Sequence, residues 1–377
     1  MLISLARLSL WREWHRFLPA IVAVGFSGLL ILAQLALLLG IFRTVSVDID
    51  ESSADLWVGF PDTPSVDLAR NISIRNEVLL RQHSEIREVE QLSINSADIR
   101  RKDGTAATGV LIGIETRKHA MAFSKILAPS VRAKLDEPDS ILIDVSAQAN
   151  LQTASGEYLE INRRRVKVVA IVAGLAAIGG PNIICSTRTS RFLDDTQQGE
   201  NETTFLLAGL RDPMRADALI AELAPEGGPR PFSAWKADDL SRQSRQYWLL
   251  ETGMGIGFIF SGLIATAIGL VVTSQTMKAT VLSSLREYAT LRALGVSFSQ
   301  LRRVVLEQAV WVGLSGVVVT STVTYAAIEI AKANKVLISA PPEAYFGTAV
   351  FIMVIALVSG WFAVNVLKKT DPATLLR

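Results

Sequence analysis

Cysteine and histidine are nearly absent from the 377 residues, which hold Cys185 alone and three scattered histidines. A single thiol excludes an internal disulfide framework and any multi-cysteine metal site, and the histidines are too dispersed for a zinc set. No metal and no other cofactor is therefore expected. Glycine is nowhere followed by lysine, so the chain lacks a loop ending in Gly-Lys-Ser/Thr, whose lysine would reach a bound phosphate. No nucleophile and base assemble into a catalytic constellation, and the reading is of a non-enzyme with no catalytic residues. Charge is scarce as well: 20% of residues are charged against 50% apolar, and the formal net charge is +2. That surplus is too small to point to a nucleic-acid partner.

What is abundant is uninterrupted apolar sequence. Four runs, 18–42, 248–273, 304–331 and 346–367, are long enough at about 1.5 Å per residue to cross a hydrocarbon core of about 30 Å. None shows the polar face that a helix of a soluble protein keeps. The first has no charge and one strongly polar side chain, Gln34. Arg7, Arg12 and Arg16 before it resemble the start of a signal peptide. The run is much longer than a signal core of about 7–15 residues, however, and no small-x-small cleavage site precedes the acidic stretch at Asp48–Glu51. It reads as a retained span. Glu307, Gln308 and Glu329 lie near the ends of the third run, where interfacial anchoring is the simpler reading. Gly253 and Gly257, at the opening of the second run, have the spacing that permits close helix packing.

Charge divides the chain. Between Arg43 and Tyr247 there are 25 Lys/Arg and 29 Asp/Glu, a balance of −4; the whole chain has 38 and 36, which leaves 13 and 7 elsewhere, a balance of +6. The basic residues outside that block gather in the N-terminal tail, in the 274–303 loop (Lys278, Arg286, Arg292, Arg302, Arg303) and in the 368–377 tail. The 332–345 loop has only Lys332 and Lys335, partly offset by Glu343. The positive-inside rule then puts both termini and the 274–303 loop in the cytoplasm, and residues 43–247 and 332–345 outside it. The expected protein is a multi-pass protein of the bacterial inner (plasma) membrane. It has four transmembrane α-helices, with a large mixed α/β extracytoplasmic domain inserted between helices 1 and 2. Residues 1–17, with Trp11 and Trp14, read as an interfacial cytoplasmic helix or as an extension of the first span.

Inside 43–247, Leu56–Phe60 reads as a strand, and Ser96–Arg101 with Thr108–Ile114 as a hairpin about Asp103-Gly104. Ile141–Val145 is a further strand, and Tyr158–Ile161 with Arg165–Val172 a second hairpin turning near Asn162-Arg163. Thr203–Leu210 is a strand followed by a helix that Pro213 opens and Gly227-Gly228 stops. Arg163-Arg164-Arg165 reads as exposed hairpin charge, with attraction of an anionic partner as the alternative. Residues 234–247 read as a helical stalk running into the second span.

The segment Leu285–Gly295 in the 274–303 loop is helix-forming, with Gly295 placed as its stop. Its residues Glu287-Tyr288-Ala289-Thr290-Leu291-Arg292-Ala293-Leu294-Gly295 resemble the cytoplasmic motif of FtsX/MacB-type ABC transporter permeases, especially of the DevC-like branch. Asp371-Pro372-Ala373-Thr374-Leu375-Leu376-Arg377 resembles the usual ending of that superfamily, and the layout of one helix, a large domain and three helices is similar too. The resemblance is strong over 253–377 and loose over 43–247. MacB proper carries its ATPase on the same chain, and this chain has no nucleotide site, which favours the DevC-like arrangement with the ATPase on a separate subunit.

What the resemblance implies is the permease subunit of an ABC exporter, working as a homodimer. Its 274–303 coupling loop would dock on the ABC ATPase subunit through Arg286, Glu287, Tyr288, Leu291, Arg292, Leu294 and Gly295. The MacB-like domain would face a periplasmic adaptor (membrane fusion) protein and an outer-membrane channel, with lipids or other amphiphiles as cargo. Two alternatives share the fold: an FtsX-like mechanotransmitter controlling a cell-wall hydrolase, and Lol-like lipoprotein release. The missing Gly-Lys pair gives a direct expectation. The purified chain alone should show no saturable, magnesium-dependent ATP turnover, and turnover that survived removal of every other subunit would refute it.

Overall fold

The computed structural model describes residues 14–177, 180–194, 201–223, 231–333, 338 and 340–369. Most of the N-terminal 1–17 segment, the Gly227-Gly228 stop and the Asp371–Arg377 ending therefore lie outside the described residues. The chain divides into two compact units, Met1–Gly40 with Ile256–Arg377, and Ile41–Gly255.

The first helix, α1, is Trp14–Val45. It leads into a single helical turn, Val47–Asp50, and then into a mixed domain. The strands of that domain are β1 (Leu56–Gly59), β2 (Ile72–Ser73), β3 (Ile86–Arg100), β4 (Ala106–Ile114), β5 (Ser140–Asp144) and β6 (Tyr158–Ile161). They continue as β7 (Arg164–Val172), β8 (Asn182–Ser186), β9 (Glu202–Thr203), β10 (Phe205–Leu210) and β11 (Ser233–Lys236). Its longer helices are α2 (Asn76–Arg81), α3 (Thr187–Leu193), α4 (Ala216–Leu223) and α5 (Ala237–Gln246).

One strand organises this unit. The first half of β3 pairs antiparallel with β10, and its second half with β4. Near its end, Ile99 and Arg100 also pair with Ile161 and Glu160 of β6. The order β3-β4-β8-β5-β7-β6 therefore closes on itself as a six-stranded ring, which leaves these strands without free edges. Ile99, Leu111, Ile141, Ile143, Val166, Val168 and Ile183 share its core. On the other side, β11-β1-β10-β3 form an open sheet buried on both faces. Period-two alternation sends Leu56, Val58, Leu206 and Ala208 to a core with Leu80 of α2 and Leu219 of α4. Trp57, Phe205 and Leu207 go to another, with Phe123 and Leu240 of α5. The Asp103-Gly104 turn forms as expected, Gly104 adopting φ +84°.

A strap between β4 and β5 is held by two buried ions. Glu90 of β3 accepts the Met121 N–H at 2.7 Å, and the buried Arg132 donates to the Glu115 carbonyl at 3.0 Å. Burial pushes the Glu90 carboxyl above and the Arg132 guanidinium below its ordinary pKa.

Three local readings of the sequence change. β3 begins at Ile86, ahead of the hairpin segment expected from Ser96, because its first half is sandwiched between two cores and carries no clean alternation. Residues 233–236 are a strand paired with β1 and not the start of a helix. The stalk is also interrupted: a π-helical turn follows α5 at Tyr247–Glu251, and Gly253 adopts φ +77°, outside helical space.

The helices of the other unit are α1, α6 (Met254–Ser283), α7 (Leu285–Ala293), α8 (Phe298–Ala333) and α9 (Pro342–Lys369). Four of these, α1, α6, α8 and α9, are long and apolar enough to cross a membrane. Their seams are built on small residues, as expected where lipid offers no hydrophobic drive between helices. A Cβ on Gly25 would stand 2.9 Å from Val319 Cγ1, and one on Gly360 would stand 2.6 Å from Ala309 Cβ. Thr320 donates to the Gly25 carbonyl at 3.0 Å, and the Gln34 amide donates to Ser261 of α6. Gly253 and Gly257, expected as packing residues, meet no atom within 4 Å at the Cβ position among the described residues.

Trp57 is wholly buried and meets Phe205 edge to face at 5.2 Å between ring centres, while its indole N–H has no partner. Trp57→Ala should cost about 3–5 kcal/mol. Trp57→Phe should cost much less, because it keeps the ring contact and removes an unpaired donor. Denaturation of the full chain in detergent, followed by circular dichroism, distinguishes the two.

Candidate functional site

The residues singled out in 285–295 lie on a short helix whose two sides have different fates. Tyr288 is buried among Phe17, Met277, Val281, Leu301 and Val305, and Ala289 beside it in the chain is buried too. Leu285 and Leu291 are partly buried against the same cluster. Glu287, Thr290 and Leu294 fall on the opposite side at i, i+3, i+7 spacing and are exposed, with Leu294 77% accessible. Arg286 and Arg292 belong to α7, and their side chains are outside what the structure describes. Of the expected docking residues, Glu287, Leu294 and Gly295 are therefore presented outward. Tyr288 and Leu291 turn inward, because the 3.6-residue period puts them on the helix face that meets the bundle.

The turn after α7 is fixed from both ends. Gly295 has φ +93°, and the Val296 N–H reaches back to the Leu291 carbonyl at 3.1 Å, the 6→1 bond of a Schellman ending. Val296 and Leu291 pack against the same buried cluster, the apolar contact that accompanies this motif. The Gln300 side-chain oxygen then accepts the Ser297 N–H at 2.9 Å, one half of a capping box that starts α8. Leu294 thus stands on a stiff helix–turn–helix.

A second cluster, missed in the sequence, lies where the chain enters and leaves the α/β domain. Asp50 accepts from Ser46 Oγ at 2.7 Å and from Ser241 Oγ at 2.8 Å, and pairs with the Arg245 guanidinium. Arg245 Nε also donates to Ser46 Oγ at 2.9 Å. Nearby, Ser244 Oγ accepts the Val66 N–H at 3.1 Å, and Trp248 Nε1 donates to Asp67 at 3.2 Å. The signal was present as two i, i+4 pairs, Ser46/Asp50 and Ser241/Arg245, one at each border of the domain. Asp48 is buried beside this cluster with an unpartnered Oδ1. Burial first, and the Asp67 carboxylate second, push its pKa up to about 7.

Among the described residues no group of three or more His, Cys, Asp or Glu could hold a metal ion. Cys185 is buried, and burial pushes its thiol pKa up, away from reactivity.

Residues 259–372 match the family model described as FtsX-like permease C-terminal. No curated protein sequence matches the chain. Among solved structures, the periplasmic region of MacB from Actinobacillus actinomycetemcomitans is 14% identical, with a TM-score of 0.37 over 52% of this chain and 94% of that one. The extracellular domain of the noncanonic ABC-type transporter YknZ from Gram-positive bacteria is 12% identical, with a TM-score of 0.32 over 48% of this chain and 99% of that one.

Asp48 yields a pH prediction. Its folded pKa of about 7 stands above the ordinary aspartate value of 3.8, so between those limits the folded state holds a proton that the unfolded state has released. Stability should fall as pH rises through this window and level off above it. Asp48→Asn should remove that slope and raise stability at pH 8 by roughly 1–4 kcal/mol. Thermal unfolding of the two proteins across pH 4–8 checks it, and parallel slopes would count against a buried acid.

Proposed function

We propose, from the match of residues 259–372 to the family model described as FtsX-like permease C-terminal, a permease that passes ATP-driven motion to its α/β domain for export of lipids or other amphiphiles. At the coarser level the chain is a multi-pass membrane protein and an ABC transporter permease subunit, a class that works with an ATPase partner. The finer reading makes it DevC-like: a homodimer with a separate ATPase and a periplasmic adaptor leading to an outer-membrane channel. Both termini and the 274–303 loop are cytoplasmic in this reading, and residues 43–247 are periplasmic.

The observation that carries the coupling assignment is the helix–turn–helix at 285–300. It holds one apolar side chain, Leu294, in the open on a turn braced by a Schellman bond and a half capping box. A stiff lever with a small docking face is what coupling to a remote nucleotide site requires. Tyr288 supports the reading from beneath, since its hydroxyl donates toward Gln308 of α8 at 3.5 Å and its ring joins the bundle core. ATPase motion received at Leu294 would so reach α8 directly.

Leu294→Asp should weaken retention of the ATPase subunit on purification roughly thirtyfold, as for loss of an interface anchor of about 2 kcal/mol, with expression and thermal stability unchanged. Glu287→Ala should cost about 0–1 kcal/mol. Leu291→Asp should instead destabilise the chain itself, because Leu291 packs inward. Full ATPase retention and full transport in Leu294→Asp would remove the coupling assignment.

A further inference from the structure

The β6–β7 hairpin is closed by two residues, Asn162 and Arg163, with φ of +47° and +63°. Two left-handed residues in a two-residue loop make a type I′ turn, which favours Asn first and Gly second. Asn162 fits. The second place, where glycine is at ease and any side chain is strained, holds an arginine. The turn is tied down on two sides. Asn162 exchanges bonds with Asp98, its N–H donating to the Asp98 carbonyl and its Oδ1 accepting the Asp98 N–H, each at 2.8 Å. Its Nδ2 donates to the Leu193 carbonyl at the end of α3, also at 2.8 Å.

The next two residues are arginines stacked on rings. The Arg164 guanidinium lies 3.9 Å from the centre of the Phe192 ring, and that of Arg165 4.1 Å from the centre of the Tyr158 ring. Both rings are about half exposed, 48% and 49%. The acid across the strand pair from Arg165 is Glu160, which also lies 3.9 Å from Arg100.

We propose that this hairpin tip is a docking site for an acidic peptide segment of a protein partner. Stacking fixes each guanidinium plane while leaving its N–H edge open, the geometry that takes carboxylates in bidentate fashion. Arginine beside half-exposed Tyr and Phe is also the composition of interface anchors. The tied turn lowers the ordering cost of binding. An anionic lipid surface fits less well, because it would meet a whole face of a block whose balance is −4 over residues 43–247, whereas a peptide meets the tip alone. The site stands apart from what the membrane helices transport.

The test uses the full chain in phosphatidylcholine nanodiscs and a fluorescein-labelled decaglutamate peptide read by anisotropy. Arg163→Gly relieves the turn, so the thermal midpoint should hold or rise while binding weakens about threefold or more. Arg163→Ala/Arg164→Ala/Arg165→Ala should weaken binding about tenfold or more. Removing three exposed charges elsewhere, Lys118→Ala/Lys134→Ala/Arg211→Ala, should leave it unchanged. Undiminished binding by Arg163→Gly, or an equal loss in the control variant, overturns the proposal. So does capture of the chain by phosphatidylglycerol vesicles with the same dependence on Arg163, which would assign the tip to lipid.

Discussion

The Asp50 carboxylate is the point on which the α/β domain depends, because it binds the strand of chain that enters the domain to the helix that leaves it. Its oxygens take Ser46 from its own helical turn, and Ser241 and Arg245 from α5. An insertion between two membrane helices must return its chain to the bilayer near where it left, and a loop of some 200 residues closes at an entropic cost that grows only slowly with length. A charge-assisted clasp at the base meets that cost locally. Lys125 adds a third segment by donating to the Asp50 carbonyl at 2.8 Å, so the strap between β4 and β5 is bound to the same point. The ion pair is partly exposed, with side-chain accessibilities of 38% and 35%, and its worth lies in geometry more than in Coulomb energy.

From this base, β3 distributes the constraint. Fifteen residues long, it serves the open sheet with its first half and the closed ring with its second. Displacement of β10 or β1 therefore reaches the ring through a single continuous strand. The ring is stiffened because its six strands leave no edge to fray, and the open sheet is stiffened because both of its faces are buried.

The membrane helices were plain in the sequence because bilayer thickness imposes a length that little else in a soluble protein imitates. Two hairpins were plain for a different reason: Asp103-Gly104 and Asn162-Arg163 carry the chemistry of turns with positive φ. The long start of β3, the strand β8 and the strand β11 were not legible. β8 reads Asn-Ile-Ile-Cys-Ser, a short apolar run with both faces covered, which periodicity cannot separate from a helix fragment. β11 is set by pairing with β1, a partner about 175 residues away in the chain. Gly253 and Gly257 illustrate the opposite hazard. Their spacing matched a packing motif, but Gly253 ends one element and precedes the next, and spacing counts only within a continuous helix.

The segment 287–295 shows where motif matching and burial part company. A motif names residues equally, whereas a helix on the surface of a bundle must divide them between anchoring and display. Tyr288, Ala289 and Leu291 anchor; Glu287, Thr290 and Leu294 display. Gly295 belongs to neither group, since its left-handed backbone lets the Val296 N–H close on the Leu291 carbonyl and so keeps the displayed face in one orientation. Any side chain at Gly295 would have to hold a conformation it disfavours, and the turn would loosen before any contact with a partner was lost. The glycine sets the turn, the tyrosine joins the bundle core and the leucine is left exposed, three physical situations that the sequence writes as one motif.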